Sequence, residues 1–193
     1  LLFGASLGIH DLNYERFSYL NDDGYLGNNS TATQSRLDNY LFTSGLGVSL
    51  QLGMLIKLSK ALVFGASYTS PTWYTMNDQT AQSAGSDATL EDLSFINLSL
   101  LNYYDDYRMK LPSSLSFNLA ISPADHFSIV ADYRRENFGD AQFLPDTNAA
   151  FSAENQAMKS TYSTVERLSI GTEFQKGNRI MRFGYMTQSV PVI

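Results

Sequence analysis

Hydrophobic residues occupy every second position along several segments of the chain. In residues 47–58, for example, they fall on the even positions, while Gly, Ser, Gln and Lys take most of the odd ones. A period of two places side chains of one kind on one face of a β-strand. The pattern predicts about seven strands, each with one hydrophobic and one polar face, in residues 1–10, 47–58, 61–69, 109–121, 127–134, 167–174 and 181–186.

The connections between these strands alternate in length. Residues 59–61, 123–125 and 177–178 make short links, whereas the intervening links at 15–36, 75–105 and 139–162 are long and polar, the last with a short helix expected at 148–159. Short turns at one end and long loops at the other are typical of outer-membrane barrels. No segment approaches the run of about 18 apolar residues that a spanning helix needs. We therefore predict an all-β fold, a transmembrane antiparallel up-and-down β-barrel whose hydrophobic rows face lipid.

The short links also predict how the strands pair. A two-residue turn at 177–178 places Phe174 opposite Met181 on the hydrophobic face, and Glu173 opposite Arg182 on the polar face. We expect the Glu173–Arg182 pair to be a structural ion pair in the lumen rather than a catalytic one.

The link at 123–125 predicts a second register. A three-residue turn there places Ser114 opposite Arg134 and Ser116 opposite Asp132. The lumen then contains side chains of both charges, whereas a pore that selects ions by charge has side chains of one sign.

Pro112 lies inside a segment that otherwise has the pattern of a regular strand. Proline has no amide hydrogen, so in a closed barrel it requires a bulge or a local gap in the ladder. One interpretation is a tolerated bulge near the outer rim of the barrel. The other is a lateral opening in the wall through which a hydrophobic ligand passes.

Composition excludes several classes of function. The chain has 193 residues, a net charge of −6 and no cysteine, so it lacks the basic character of nucleic-acid binders, and disulfides, thiolate zinc sites and thiol nucleophiles are excluded. Of the two histidines, His10 lies on the polar face of its strand, and no pattern brings a third catalytic group to it. We predict no enzyme activity, no catalytic residue, no metal site and no cofactor.

Several segments together resemble the FadL/TodX family of outer-membrane transporters for hydrophobic compounds, in the version common in Bacteroidetes-type bacteria. The most specific are TSGLGVSLQLG and SYTSPTWY. The resemblance extends over nearly the whole chain and is carried by LLFGASLGIHDLNY, LFTSGLGVSLQLGMLIK, LVFGASYTSPTWY, residues 111–121, RLSIGTEFQ and RFGYMTQSVP.

This resemblance implies a barrel of about 14 strands in the bacterial outer membrane, an N-terminal hatch that plugs the lumen, and a lateral opening in the wall. It implies passive transport of hydrophobic small molecules such as long-chain fatty acids. On this interpretation residues 1–193 are an internal fragment and part of a single barrel domain, with the hatch and the remaining strands outside this chain. The alternative function is a structural or cargo-handling barrel subunit of an outer-membrane secretion assembly.

A fatty-acid ligand needs a cation in the lumen to meet its carboxylate. By the direction in which they face, the candidates for this cation are Lys110, Arg134 and Arg108. The expected partners are a hydrophobic small-molecule ligand, outer-membrane lipid and lipopolysaccharide, and a protein at the extracellular loops. Nucleic acid is not expected as a partner.

Overall fold

The computed structural model describes residues 1–23, 34–86 and 98–192, and most of them lie in antiparallel strands. Within these residues, no helix is long and apolar enough to cross a membrane. A 3-10 turn covers Phe138–Asp140. The strands and the helix are β1 (Leu2–Asp23), β2 (Gln34–Lys57), β3 (Leu62–Thr69), β4 (Thr72–Ser86), β5 (Leu98–Tyr103), β6 (Tyr107–Leu111), β7 (Ser114–Ala124), β8 (Phe127–Asn137), β9 (Gln142–Leu144), α1 (Ala149–Thr161), β10 (Thr164–Lys176) and β11 (Arg179–Gln188).

The 11 strands of the described chain form one sheet in which several short strands are pieces of longer ones. β3 and β4 both pair with β2, so they are two pieces of one barrel strand. In the same way β5, β6 and β7 follow one another along the next barrel strand, and β8 and β9 along the one after it. Joined in this way, the sheet is an up-and-down series of β1, β2, β3 with β4, β5 with β6 and β7, β8 with β9, β10, and β11. This series contains each of the predicted strands.

The strand register separates the side chains into a hydrophobic face and a polar face, as the alternation predicts. Ile9 and Phe183 on the hydrophobic face are each 71% exposed, which hydrocarbon around the sheet explains better than water does. One row across the hydrophobic face runs Ile56, Phe64, Leu119, Ala131, Ile170, Tyr185, and the neighbouring row of the other face runs Leu55, Gly65, Asn118, Asp132, Ser169, Met186.

The chain divides into two compact units. The first is made by Leu1–His10, Gly47–Tyr74 and Arg108–Ile193, and it contains all the residues of the candidate site described below. The second is made by Asp11–Leu46 and Thr75–Tyr107. Within the second unit, Gln82 donates a hydrogen bond to Asn39 at 2.9 Å, and the Arg36 guanidinium lies 5.5 Å from the centre of the Tyr19 ring.

The prediction of long loops at 15–36 and 75–105 is wrong for their described parts. β1 continues to Asp23, β2 begins at Gln34, and β4 and β5 occupy much of the second segment. These parts lack the strict alternation because neither face is required to be hydrophobic, although backbone pairing continues there. Residues 24–33 and 87–97 lie outside the described residues.

The register predicted from the turn at 177–178 is confirmed. Glu173 pairs with Arg182 and Phe174 with Met181. Gly177 has a φ of +56°, a left-handed conformation that a two-residue hairpin turn requires and that glycine adopts without steric cost.

The register predicted from the link at 123–125 is wrong by two residues. Arg134 lies opposite Ser116, and Asp132 lies opposite Asn118. The turn itself is tighter, because Ala124 pairs with Phe127, and an irregularity between Ile121 and Ala124 absorbs the extra residue. The shift is even, so each side chain stays on its predicted face.

Helix α1 confirms the short helix expected at 148–159. Its first turn is capped by Asn148, whose side chain accepts a hydrogen bond from the Ala150 amide at 3.0 Å. At its other end, the Tyr162 amide donates to the Met158 carbonyl at 2.9 Å. The helix is therefore a defined block within the link between β9 and β10.

Candidate functional site

The barrel strand formed by β3 and β4 is interrupted at Ser70 and Pro71. On the β2 side the interruption is sealed, because the Ser70 amide donates to the Leu50 carbonyl at 2.8 Å. The Leu50 amide in turn donates to the Ser70 hydroxyl at 2.9 Å, so a side chain replaces the missing backbone acceptor. The Ser70 hydroxyl donates to the Pro71 carbonyl at 2.9 Å. The break is thus an ordered feature that remains attached to β2.

The neighbouring barrel strand is interrupted at the same level. β6 ends at Leu111, β7 begins at Ser114, and the last pair between β3 and β7 joins Thr69 to Ser114. Pro71 and Pro112 each lie two residues beyond that pair on their strands, and neither has an amide hydrogen with which to continue the ladder. The wall of the sheet is therefore interrupted between two neighbouring strands, and we call this place the wall interruption.

The sequence interpretation took residues 109–121 as one strand that contains Pro112. The structure instead divides this segment into β6 and β7, and it buries Pro112 between them. The interruption at Pro71 has no counterpart in the sequence analysis, because Pro71 lies two residues beyond the predicted strand 61–69 and not inside it as Pro112 lies inside 109–121.

A polar cavity of about 450 Å³ adjoins the wall interruption. Both prolines line it, together with the 3-10 turn, β9 and one side of α1. Its charged side chains are of both signs and come from strand, turn, link and helix. They are Lys110, Asp140, Asp146 and Lys159.

Asn155 holds helix α1 against β9. Its side-chain oxygen accepts from the Phe143 amide at 2.6 Å, and its side-chain nitrogen donates to the Phe143 carbonyl at 3.0 Å. The amide thereby satisfies both backbone groups of Phe143, as a neighbouring strand would do. The rings of Phe143 and Phe151 also stack with their centres 5.5 Å apart. These contacts fix the helical side of the cavity.

The structure places only one of the three candidate cations in this cavity. Lys110 lines it beside Pro112. Arg108 lies two residues earlier on β6, opposite Leu144 of β9. Arg134 lies on β8 and forms an ion pair with Glu136 at 3.2 Å, outside the cavity lining.

Glu173 and Arg182 form the ion pair that the hairpin register places together, with 2.7 Å between carboxylate and guanidinium. The Arg182 side chain is 71% exposed, and such pairs contribute little to stability. The pairing is the one that the hairpin register predicts, and the structural role of the pair stays a prediction.

A cluster on the polar face was not anticipated from the sequence. His10 is hydrogen-bonded to Ser49 at 2.8 Å, and its ring centre lies 6.3 Å from that of Tyr74. The buried Tyr74 ring occupies the space beside Gly47, where an added Cβ would lie 2.6 Å from the ring. Glycines at positions 8 and 47 were the sequence signal, since each leaves room for a larger side chain from a neighbouring strand.

No arrangement suited to a metal ion occurs within residues 1–23, 34–86 and 98–192, where no three His, Asp or Glu side chains form such a group.

The sequence matches, over residues 6–192, the family described as "Outer membrane protein transport protein (OMPP1/FadL/TodX)". The chain belongs to this family. Membership confirms the outer-membrane location and the barrel fold class predicted above. Because the family is one of transport proteins, it also confirms that the chain is not an enzyme.

Solved structures show the same fold. The "CymD monoaromatic hydrocarbon channel" is 14% identical with a TM-score of 0.57, and the match covers 97% of this chain and 55% of that one. The toluene transporter TodX of Pseudomonas putida is 20% identical with a TM-score of 0.54, and the match covers 97% of this chain and 50% of that one. The chain thus spans about half the length of these structures. No curated protein matches it.

The packing of Tyr74 on Gly47 generates a stability prediction. Gly47→Ala places a Cβ against the Tyr74 ring, and we expect the full-length protein to lose about 1–3 kcal/mol of unfolding free energy through overpacking. Urea unfolding in lipid vesicles measures this loss.

Gly53→Ala is the matched control, because an added Cβ there meets its nearest atom only at 3.8 Å. We expect it to be neutral or slightly stabilising, since alanine restricts the unfolded chain more than glycine does. Equal stability of the two variants would contradict the packing of Tyr74 described here.

Proposed function

We propose that the protein containing this chain transports hydrophobic small molecules passively across the outer membrane, and that they leave the barrel sideways through the wall interruption. The observation that carries this proposal is the pair of prolines, each two residues beyond the last pair of two neighbouring strands and both in the lining of one cavity. Family membership supports transport as the activity. The wall interruption supplies the path by which the molecule would leave through the barrel wall.

A sideways route suits a hydrophobic molecule on physical grounds. The outer face next to the interruption carries Tyr68 and Leu115, which form the pair beside Thr69 and Ser114. A molecule that passes between the prolines therefore moves from the barrel directly to a hydrophobic surface. Its transfer out of water is favourable without any input of energy.

Two classes of ligand follow from different observations. The solved relatives in the comparison are named for toluene and for monoaromatic hydrocarbons, which supports aromatic hydrocarbons as the ligands. Lys110 and Lys159 in the cavity support a ligand with a carboxylate, such as a long-chain fatty acid. We propose hydrophobic compounds as the class, and an uptake experiment separates these two members of it.

The predictions of lipopolysaccharide and of a protein partner at the long loops stay predictions. So does the assignment of residues 1–193 to a single barrel domain with its hatch elsewhere.

Substitution of the prolines tests the route. Pro71→Val and Pro112→Val restore amide donors to the two strands, and the double variant allows the ladder to close. We expect uptake of radiolabelled toluene and of oleate by cells that express the full-length protein to fall about tenfold or more, because passage requires the opening.

Pro123→Val at a short turn is the matched control, since it removes a proline from the same sheet at a site remote from the interruption. Unchanged uptake in the double variant, with the amount of folded protein also unchanged, would refute the lateral route.

A second prediction separates the ligand classes. Lys110→Met keeps the length of the side chain and removes its charge. If carboxylates bind in the cavity, oleate uptake falls about tenfold through loss of a charge-assisted hydrogen bond, while toluene uptake is unchanged.

Arg134→Met is the control, because Arg134 is paired with Glu136 and does not line the cavity. If oleate uptake is the same in both variants and in the natural protein, Lys110 has no role in binding a carboxylate.

A further inference from the structure

An open hydrophobic groove of about 620 Å³ crosses β1, β2, β3 and β7 near the wall interruption. The side chains that determine its shape lie on the hydrophobic, lipid-facing side of their strands. Ala5 and Ala66 are the short ones among them, and the larger ones are Phe3, Leu52, Met54, Tyr68 and Leu115. Two alanines among larger side chains therefore leave a depression in the outer surface of the sheet.

The groove begins at the interruption. Tyr68 and Leu115 both line it, and they pair with each other directly before Thr69 and Ser114, the last pair of that ladder. Only one residue pair therefore separates the groove from the interruption.

Stacked aromatic rings lie beside the groove. Ala66 pairs with Phe117, whose ring stacks on Phe64 with 6.3 Å between centres and on Tyr133 with 6.5 Å. The small side chain of Ala66 thus has bulky rings beside it on the same face of the sheet. The lining of the groove includes residues of β1 but none of these three rings.

We propose that this groove is an exit site, which holds a transported hydrophobic molecule after it has passed the wall interruption and before it enters the bilayer. The inference rests on the proposed function. The occupant is the transported molecule, because only one residue pair separates the groove from the interruption and the groove's volume falls within the range of small-molecule sites. The absence of a charged side chain from its lining suits an uncharged hydrocarbon portion.

The exit site also favours movement of the molecule outward through the wall interruption. A molecule in the opening contacts a polar cavity on one side, and on the other it meets a surface that removes its hydrocarbon from water. Hydrophobic burial favours the second position. The groove therefore lowers the barrier for leaving the wall without closing the opening to the next molecule.

Filling the groove tests this inference. Ala66→Leu and Ala5→Leu both add bulk on the lipid-facing side, where leucine is compatible with the barrel. We expect each to lower toluene uptake by cells expressing the full-length protein about tenfold. Ala131→Leu is the matched control, because Ala131 has the same outward parity in the row of Leu119 and Ile170 but does not line the groove.

A photoreactive diazirine derivative of an alkylbenzene, added briefly to intact cells, provides a direct readout of binding. We expect covalent labelling of Phe3, Leu52 or Leu115, identified by mass spectrometry, and less labelling in Ala66→Leu. We also expect Pro71→Val/Pro112→Val to lose this labelling, because the probe then has no path to the groove through the wall.

Two outcomes would overturn the exit site. One is toluene uptake in Ala66→Leu and Ala5→Leu equal to that in Ala131→Leu while the double proline variant remains impaired, which leaves the lateral route standing. The other is equal groove labelling in the natural protein and the double proline variant, since the probe then arrives from the bilayer. If the double proline variant also transports normally, the proposed route itself fails.

Discussion

The fold depends on the need of a β-sheet in hydrocarbon to satisfy its own backbone. A strand surrounded by lipid finds no water for an unpaired amide or carbonyl, so each barrel strand must pair continuously with its neighbours. The alternating side chains follow from the same constraint, because one face of every strand meets lipid and the other meets the lumen. A place where two neighbouring strands both stop pairing is therefore a costly feature, and it needs local compensation.

The wall interruption has such compensation. The Ser70 amide and hydroxyl keep the contacts with Leu50 on the β2 side, so the backbone groups there remain paired. The proline nitrogens carry no hydrogen and leave no unsatisfied donor at the opening. Farther along, Asn155 substitutes for a strand beside Phe143 and fixes the helical side of the polar cavity. The wall interruption is thus built from two prolines that break the ladder and a serine that keeps the β2 side paired.

Much of this architecture is predictable from local patterns. Alternation identifies the barrel strands, and the Gly177-Asn178 pair predicts the register of the last hairpin, because glycine readily adopts the left-handed conformation that a two-residue turn requires. The register at Pro123 is wrong by two residues, since the bulge between Ile121 and Ala124 has no signature in the alternation. The extension of β1 and β2 was missed because their ends lack a strictly hydrophobic face.

The cavity was beyond prediction, since it depends on the long-range placement of α1 by Asn155. Pro112 carried a local signal, but the matching break at Pro71 becomes meaningful only once the strand register is known.

The central claim, that hydrophobic molecules leave through the wall interruption, is tested most directly by blocking it reversibly. This chain has no cysteine, so Ser113→Cys introduces a thiol beside Pro112, and Ser169→Cys provides a control on the polar face away from it. The full-length variants are treated in cells with a bulky methanethiosulfonate reagent, and toluene uptake is measured before and after removal of the label by dithiothreitol. We expect labelling of Ser113→Cys to stop uptake, dithiothreitol to restore it, and labelled Ser169→Cys to transport normally. Normal uptake by fully labelled Ser113→Cys would contradict it.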